Sequence, residues 1–170
     1  MVLLVKKYSQ RSWKKMKYSI QMSDTIHILV YIEIFKDTNF LSSEMIAKSV
    51  ETNAANVRKI MGSLKKAGLI HTQVGKPNPT LAKEPSSITF LEIYRSIEGN
   101  TNLIQVDEKT NPNCVVGANI QTALSKEYDL LQKKVEEQMD QITLDTVIHD
   151  ISALEMAKRP ENKAIVERYL

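Results

Sequence analysis

Between Asn53 and Lys83 lies a span of 31 residues that holds Arg58, Lys59, Lys65, Lys66, Lys76 and Lys83 and no acidic residue, in a chain of 170 residues with 23 basic and 20 acidic side chains. Ammonium and guanidinium groups bind phosphate oxygens, and amides interleaved with them can read base edges. A carboxylate inserted among them would repel the same phosphates. The residue types therefore suit contact with a polyanion, and a solvated face with no partner is the plainer alternative.

The formal charge of +3 conceals this segregation. Residues 1 to 18 carry six basic and no acidic side chains, residues 19 to 52 carry two and five, residues 53 to 83 six and none, and residues 84 to 170 nine and fifteen. A hydrophobic content of 42% in this length supports one main domain with an appendage. No apolar run is long enough to cross a membrane, and "MVLLV" is too short for a signal-peptide core, so a soluble, cytoplasmic protein is expected. The one cysteine, Cys114, excludes an intrachain disulfide.

The elements that position the basic span can be read from periodicity. In "SIQMSDTIHILVYIEIFK", residues 19 to 36, Ile28, Ile32 and Phe35 recur at helical spacing, with Leu29 and Tyr31 widening the stripe toward a buried helix. Ser42 or Ser43 can cap a second helix through Val50, with Glu44 near its positive end. After the turn "ETN" a third helix runs to Ala67 and stops at Gly68, which makes a helix-turn-helix. In that third helix Val57, Ile60, Met61 and Leu64 define a buried stripe. The opposite face presents Ala55, Lys59, Gly62 and Lys66, flanked by Asn56, Arg58 and Ser63. Small residues permit close approach to a major groove, amides and guanidinium read bases, and lysines meet phosphates. Two extended runs, Leu69 to Val74 and Thr80 to Lys83, flank "GKPNP", whose prolines are expected to stay outside any regular ladder. The pattern is a winged helix, with Lys76 and Asn78 at the tip of the wing.

These motifs resemble the Rrf-two family of winged-helix repressors, of the IscR, NsrR and CymR kind. Residues 16 to about 153 fit it, through "MKYSIQ", "SEMIAKSVETNAANVRKIMGSLKKAGLI", "LAKEP" and "ITFLEIYRSIEG". The resemblance implies a homodimeric regulator of double-stranded DNA, a wing that reaches the minor groove, a long C-terminal helix that forms the dimer, and a preceding loop that often carries sensor cysteines. Lys17, Tyr18, Ser42, Ser43 and Asn53 join Ala55, Asn56, Arg58, Lys59, Lys66, Lys76 and Asn78 as candidate DNA contacts. Two departures matter. "PNPT" stands where the family's wing has a glycine pair and an aromatic residue, and Cys114 stands alone where cluster-binding members have three cysteines. No iron-sulfur cluster, metal or other cofactor is expected.

The expected fold class is therefore mainly α with a small β-hairpin: a basic extension at 1–15, a winged helix-turn-helix domain at 16–99, a linker or sensor loop at 100–119, dimerisation helices at 120–154 and a tail at 155–170, with a short helix after Pro160. Ile120, Leu124, Tyr128, Leu131, Val135 and Met139 step by three or four along a helix of roughly 20 residues. Such a stripe can pack on its own domain, but a small upstream module favours a second copy. Cys114, just before that helix, is either a thiol made reactive by the helix dipole or a small packed apolar residue. An oxidant or a small molecule is the corresponding effector. His27, His71 and His149 have no metal-ligand spacing, and no nucleophile elbow, phosphate loop or paired-acid arrangement appears, so an enzyme is not expected. A protein-interaction module of the same fold that has lost DNA binding is the competing reading.

Overall fold

The computed structural model describes residues 17–73, 75–99, 101–107 and 109–170, and only the backbone at 17–20, 76 and 77. The basic extension at 1–15 and the side chains of Lys17, Tyr18 and Lys76 therefore lie outside the described residues.

Helix α1 (Lys17–Ile34) is apolar on most of its circumference: Ile28, Leu29, Val30, Ile32 and Ile34 are all buried, and so are Thr25 and Glu33. A helix of this kind needs neighbours on several sides. It receives α2 (Ser43–Val50), α4 (Phe90–Glu98), α6 (Leu144–Lys158) and strand β2 (Lys76–Leu81).

Ser42 caps α2, its Oγ accepting from the Met45 N–H at 3.2 Å. The chain then turns through Glu51, at φ 56°, before Asn53 caps α3 (Ala54–Lys66) by accepting from the Asn56 N–H at 2.9 Å. The expected stripe of α3 is the observed one, with Val57, Ile60 and Leu64 buried and Met61 half-buried. Gly68 ends the helix at φ 71°, a left-handed shape that costs glycine little.

Strand β1 (Ile70–Gln73) pairs antiparallel with β2. The strand runs through both prolines, which the sequence reading placed outside it. A register shift between His71 and Gln73 accommodates them: the paired positions are Ile70 with Leu81, His71 with Thr80 and Gln73 with Lys76, so neither proline occupies a rung of the ladder.

A capping box starts α4. Thr89 Oγ1 accepts from the Glu92 N–H while Glu92 accepts from the Thr89 N–H. Lys83, at the foot of the hairpin, also donates to both oxygens of Glu92, at 2.6 and 2.8 Å. Burial acts to raise the Glu92 carboxyl, yet Lys83 and the Thr89 N–H outweigh it and hold the group below its ordinary value.

Helix α5 (Ile120–Gln141) returns antiparallel to α4, with Asp140 opposite Thr89 and Glu136 opposite Arg95. The chain is then stitched to the start of α4: the Phe90 N–H donates to the Ile142 carbonyl and the Leu144 N–H to the Ile88 carbonyl, each at 2.9 Å. Helix α6 packs into the same core as α1, α3 and the hairpin through the fully buried Leu144 and Ile148, and leaves Ile151 and Leu154 exposed. The tail is also docked. After a turn at Pro160–Asn162, α7 (Lys163–Val166) buries Val166, the Tyr169 hydroxyl donates to the Glu33 carbonyl at 2.7 Å, and Arg168 donates to the Ile34 carbonyl and pairs with Asp37. Burial, with the Glu33 charge beside it, pushes the Tyr169 hydroxyl up to about 12.

Candidate nucleic-acid interface

The outer face of α3 carries Ala55, Arg58, Lys59, Gly62 and Lys66, all exposed. Not every predicted contact points outward. Asn53 and Ser42 spend their acceptor atoms on helix caps. Asn56 is half-buried and donates from Nδ2 to Thr52 Oγ1 at 3.2 Å, so its amide leans back into the turn. The hairpin stands beside α3, with Asn78 exposed, and the two enclose a cleft of about 520 Å³ lined in part by Ser43, Arg58, Gly62, Lys65 and Thr72. Lys65 Nζ spans it, donating to the Thr72 carbonyl at 3.4 Å.

One acidic group enters this surface. Glu44 of α2 lies 3.1 Å from Arg58 Nη1. Its own backbone N–H and the Arg58 guanidinium hold the Glu44 carboxyl below the usual carboxylate range. Reading α3 alone could not reveal it, since the carboxylate comes from the first turn of α2. The pair is exposed, with 59% and 65% of the two side chains in solvent, which limits its strength.

Polar contacts tie α5 to α4 and to the loop that follows it. Gln132 is the buried residue of α5, accepting from the Leu103 N–H at 2.9 Å and donating to Glu136 at 2.7 Å. Glu136 in turn pairs with Arg95 at 3.1 Å. At about 100° per residue Tyr128 and Met139 of the predicted apolar stripe share the Gln132 side of the helix, and Leu131 and Val135 lie further round. Leu131 and Val135 are 48% and 37% exposed, joined by Leu130 at 55%, while Ile120, Leu124, Tyr128 and Met139 are half-buried.

Cys114 is exposed, in a turn that precedes α5. The Ala118 N–H donates to its carbonyl at 2.8 Å and its own N–H donates to the Asn111 carbonyl at 3.2 Å. The turn admits only glycine at 117, where a Cβ would lie 2.2 Å from the Asn111 carbonyl oxygen. Of the two readings of Cys114, the packed one fails within this chain. The N–H groups of Gly117 and Val116 hold the thiol below its ordinary pKa by stabilising the thiolate.

Residues 18–150 match the family model described as "Rrf2: Iron-dependent Transcriptional regulator". The chain belongs to the Rrf2 family. A candidate HTH-type transcriptional regulator, YwnA of Bacillus subtilis (strain 168), is 36% identical over 131 residues, which cover 77% of this chain and 96% of YwnA. A crystal structure described as that of a candidate DNA binding protein is 35% identical, with a TM-score of 0.61 over 75% of this chain and 98% of its own. IscR of T. potens shares the fold, at 21% identity and a TM-score of 0.58, over 80% of this chain and 88% of its own. The winged-helix architecture read from the sequence is thus the family's. The iron in the family's description is tested by the donors present. Among the described residues no three His, Cys, Asp or Glu side chains gather as a metal site, and Cys114 supplies one thiolate where a cluster draws on about four ligands. Among the described residues no helix is long and apolar enough to cross a membrane.

The Glu44–Arg58 pair sets up a direct test. Glu44→Gln removes a negative charge from the α3 surface and releases Arg58, so affinity for duplex DNA should rise about 1.5- to 5-fold, the worth of an exposed ion pair. Fluorescence anisotropy with a labelled duplex measures it, and unchanged affinity would place Glu44 away from DNA.

Proposed function

We propose that this protein is a sequence-specific DNA-binding transcriptional regulator, a repressor that acts as a homodimer on a palindromic operator. The observation that carries the reading is the pairing of an α3 face bearing Arg58, Lys59 and Lys66 with a hairpin beside it, on one side of the molecule. In this reading α3 enters the major groove, Arg58 reads a base, Lys59 and Lys66 hold phosphates, and the wing lies over the neighbouring groove. The apolar stripe of α5 supports the dimer, because its Leu131 and Val135, with Leu130 beside them, are exposed and would be covered by a second copy. A second copy would set two α3 helices about one DNA turn apart.

Selecting duplexes from a random pool with the purified protein and measuring their affinity against salt tests the function. A palindromic consensus with a steep salt dependence is expected. No consensus and no salt-dependent binding would favour the protein-interaction module instead. Arg58→Ala should cost about 1–3 kcal/mol on the selected site and relax preference at one position, whereas Lys59→Ala and Lys66→Ala should weaken all sequences alike, each lowering the salt slope by about 0.9.

Leu131→Glu should convert the dimer to a folded monomer in sedimentation, since two carboxylates would be buried near the two-fold axis. An unchanged dimer would move the interface off this stripe.

The exposed Cys114 thiol, with its thiolate favoured by two backbone N–H groups, supports a response to oxidants. Mild thiol oxidation should reduce DNA binding reversibly in the natural protein and leave Cys114→Ser unaffected. Equal behaviour of the two proteins would remove the thiol from the switch.

A further inference from the structure

On the side of α1 that faces α6 and α7, a cavity of about 340 Å³ opens, in the lower part of the ~300–1,000 Å³ range of small-molecule pockets. Its floor is apolar, formed by the buried Val30, Ile34 and Val166, and Ile151, 39% exposed, stands at its rim. Its polar edge is small and internally matched. His27 Nε2 lies 2.9 Å from Ser49 Oγ, and Glu155 accepts from Arg159 at 2.7 Å and from Asn162. Partial burial holds the His27 imidazole below its ordinary pKa against the opposing charge of Asp24. The Arg159 cation is paired with Glu155 and the Asp24 carboxylate lies near His27, so an anionic ligand that would have to shed its water finds no unpaired cation among the described lining residues. An apolar ring that carries one hydroxyl or carbonyl meets both halves of the cavity: the ring covers the floor, and the polar atom joins the His27 and Ser49 pair.

We propose that this cavity is an effector site for a small uncharged ring compound bearing one hydroxyl or carbonyl group, of the phenol class. The site is built to report to α3. Ser49 is the penultimate residue of α2, two positions before the left-handed turn at Glu51 that aims α3, and its bond to His27 is a polar tie between α1 and α2. A ligand that takes over this tie moves α2 on α1, α3 moves with it, and the spacing of two DNA-reading helices changes. Binding therefore lowers DNA affinity; this consequence, though not the binding itself, rests on the regulator reading above.

Calorimetric titration of the full chain with 4-ethylphenol tests the site, with 4-ethylbenzoate as the ionised counterpart and ethylbenzene as the apolar one. Wild type should bind 4-ethylphenol about tenfold or more tightly than 4-ethylbenzoate, the scale of one unpaired polar group. Ile151→Trp should fill the cavity from its rim and abolish binding while the melting temperature and sedimentation stay unchanged. His27→Leu should weaken 4-ethylphenol and spare ethylbenzene, a split that a merely structural role would not produce. Absence of 4-ethylphenol binding, or equal binding by wild type and Ile151→Trp, overturns the proposal, as does a change in oligomeric state on Ile151→Trp, which would assign the cavity to contact between copies. In the DNA assay 4-ethylphenol should lower affinity roughly fivefold or more, the lower end of ordinary allosteric coupling. DNA affinity indifferent to bound 4-ethylphenol overturns the effector role. Ligand binding by a protein that binds no duplex at any salt concentration upholds the cavity as a ligand site and overturns the regulator reading instead.

Discussion

Enclosure of α1 is the constraint on which the rest of the structure depends. Ile28, Leu29 and Ile32 are wholly withdrawn from water and Val30 and Ile34 nearly so. Each such side chain contributes about 1.5–3 kcal/mol on burial, provided something covers it. The helix-turn-helix covers one side, α4 and the hairpin another, and α6 with the docked tail a third. The elements that carry the basic face are therefore positioned from behind, by α1.

The second organising feature is the polar seam between α4 and α5. Glu136 and Asp140 meet Arg95 and Thr89 of the α4 segment, and Gln132 meets the Leu103 N–H in the loop beyond it. Polar contacts specify the alignment of two helices more than they add stability, because each exchanges protein for water. With this seam in place Leu130, Leu131 and Val135 of α5 stay exposed. An apolar stripe in such a position is costly for a monomer, which is why the seam and the proposed assembly belong to one argument.

Helix α6 and the tail give the molecule a face that a winged helix alone would lack. By returning to α1 they form the outer wall of the cavity beside His27, and the same elements carry the exposed Ile151 at its rim. The basic face of α3 and the cavity thus lie against different sides of the α1–α2 pair, joined through Ser49 and the turn at Glu51.

Local information was enough for much of this. The caps at Ser42 and Asn53, the stop at Gly68, the buried stripe Val57, Ile60 and Leu64 and the basic outer face of α3 follow from spacing and residue type, because helix period and capping act within a few residues. The length of α5 was legible for the same reason. Tertiary structure decided what sequence separation hides. Glu44 reaches Arg58 only because α2 and α3 cross, and the bulge that lets β2 carry two prolines depends on its partner strand. The placing of α6 and Tyr169 against α1 joins residues more than a hundred positions apart. Weakly amphipathic helices such as α1 and α6 do not announce their neighbours, since an apolar residue specifies only that it be covered and leaves to the whole fold what covers it.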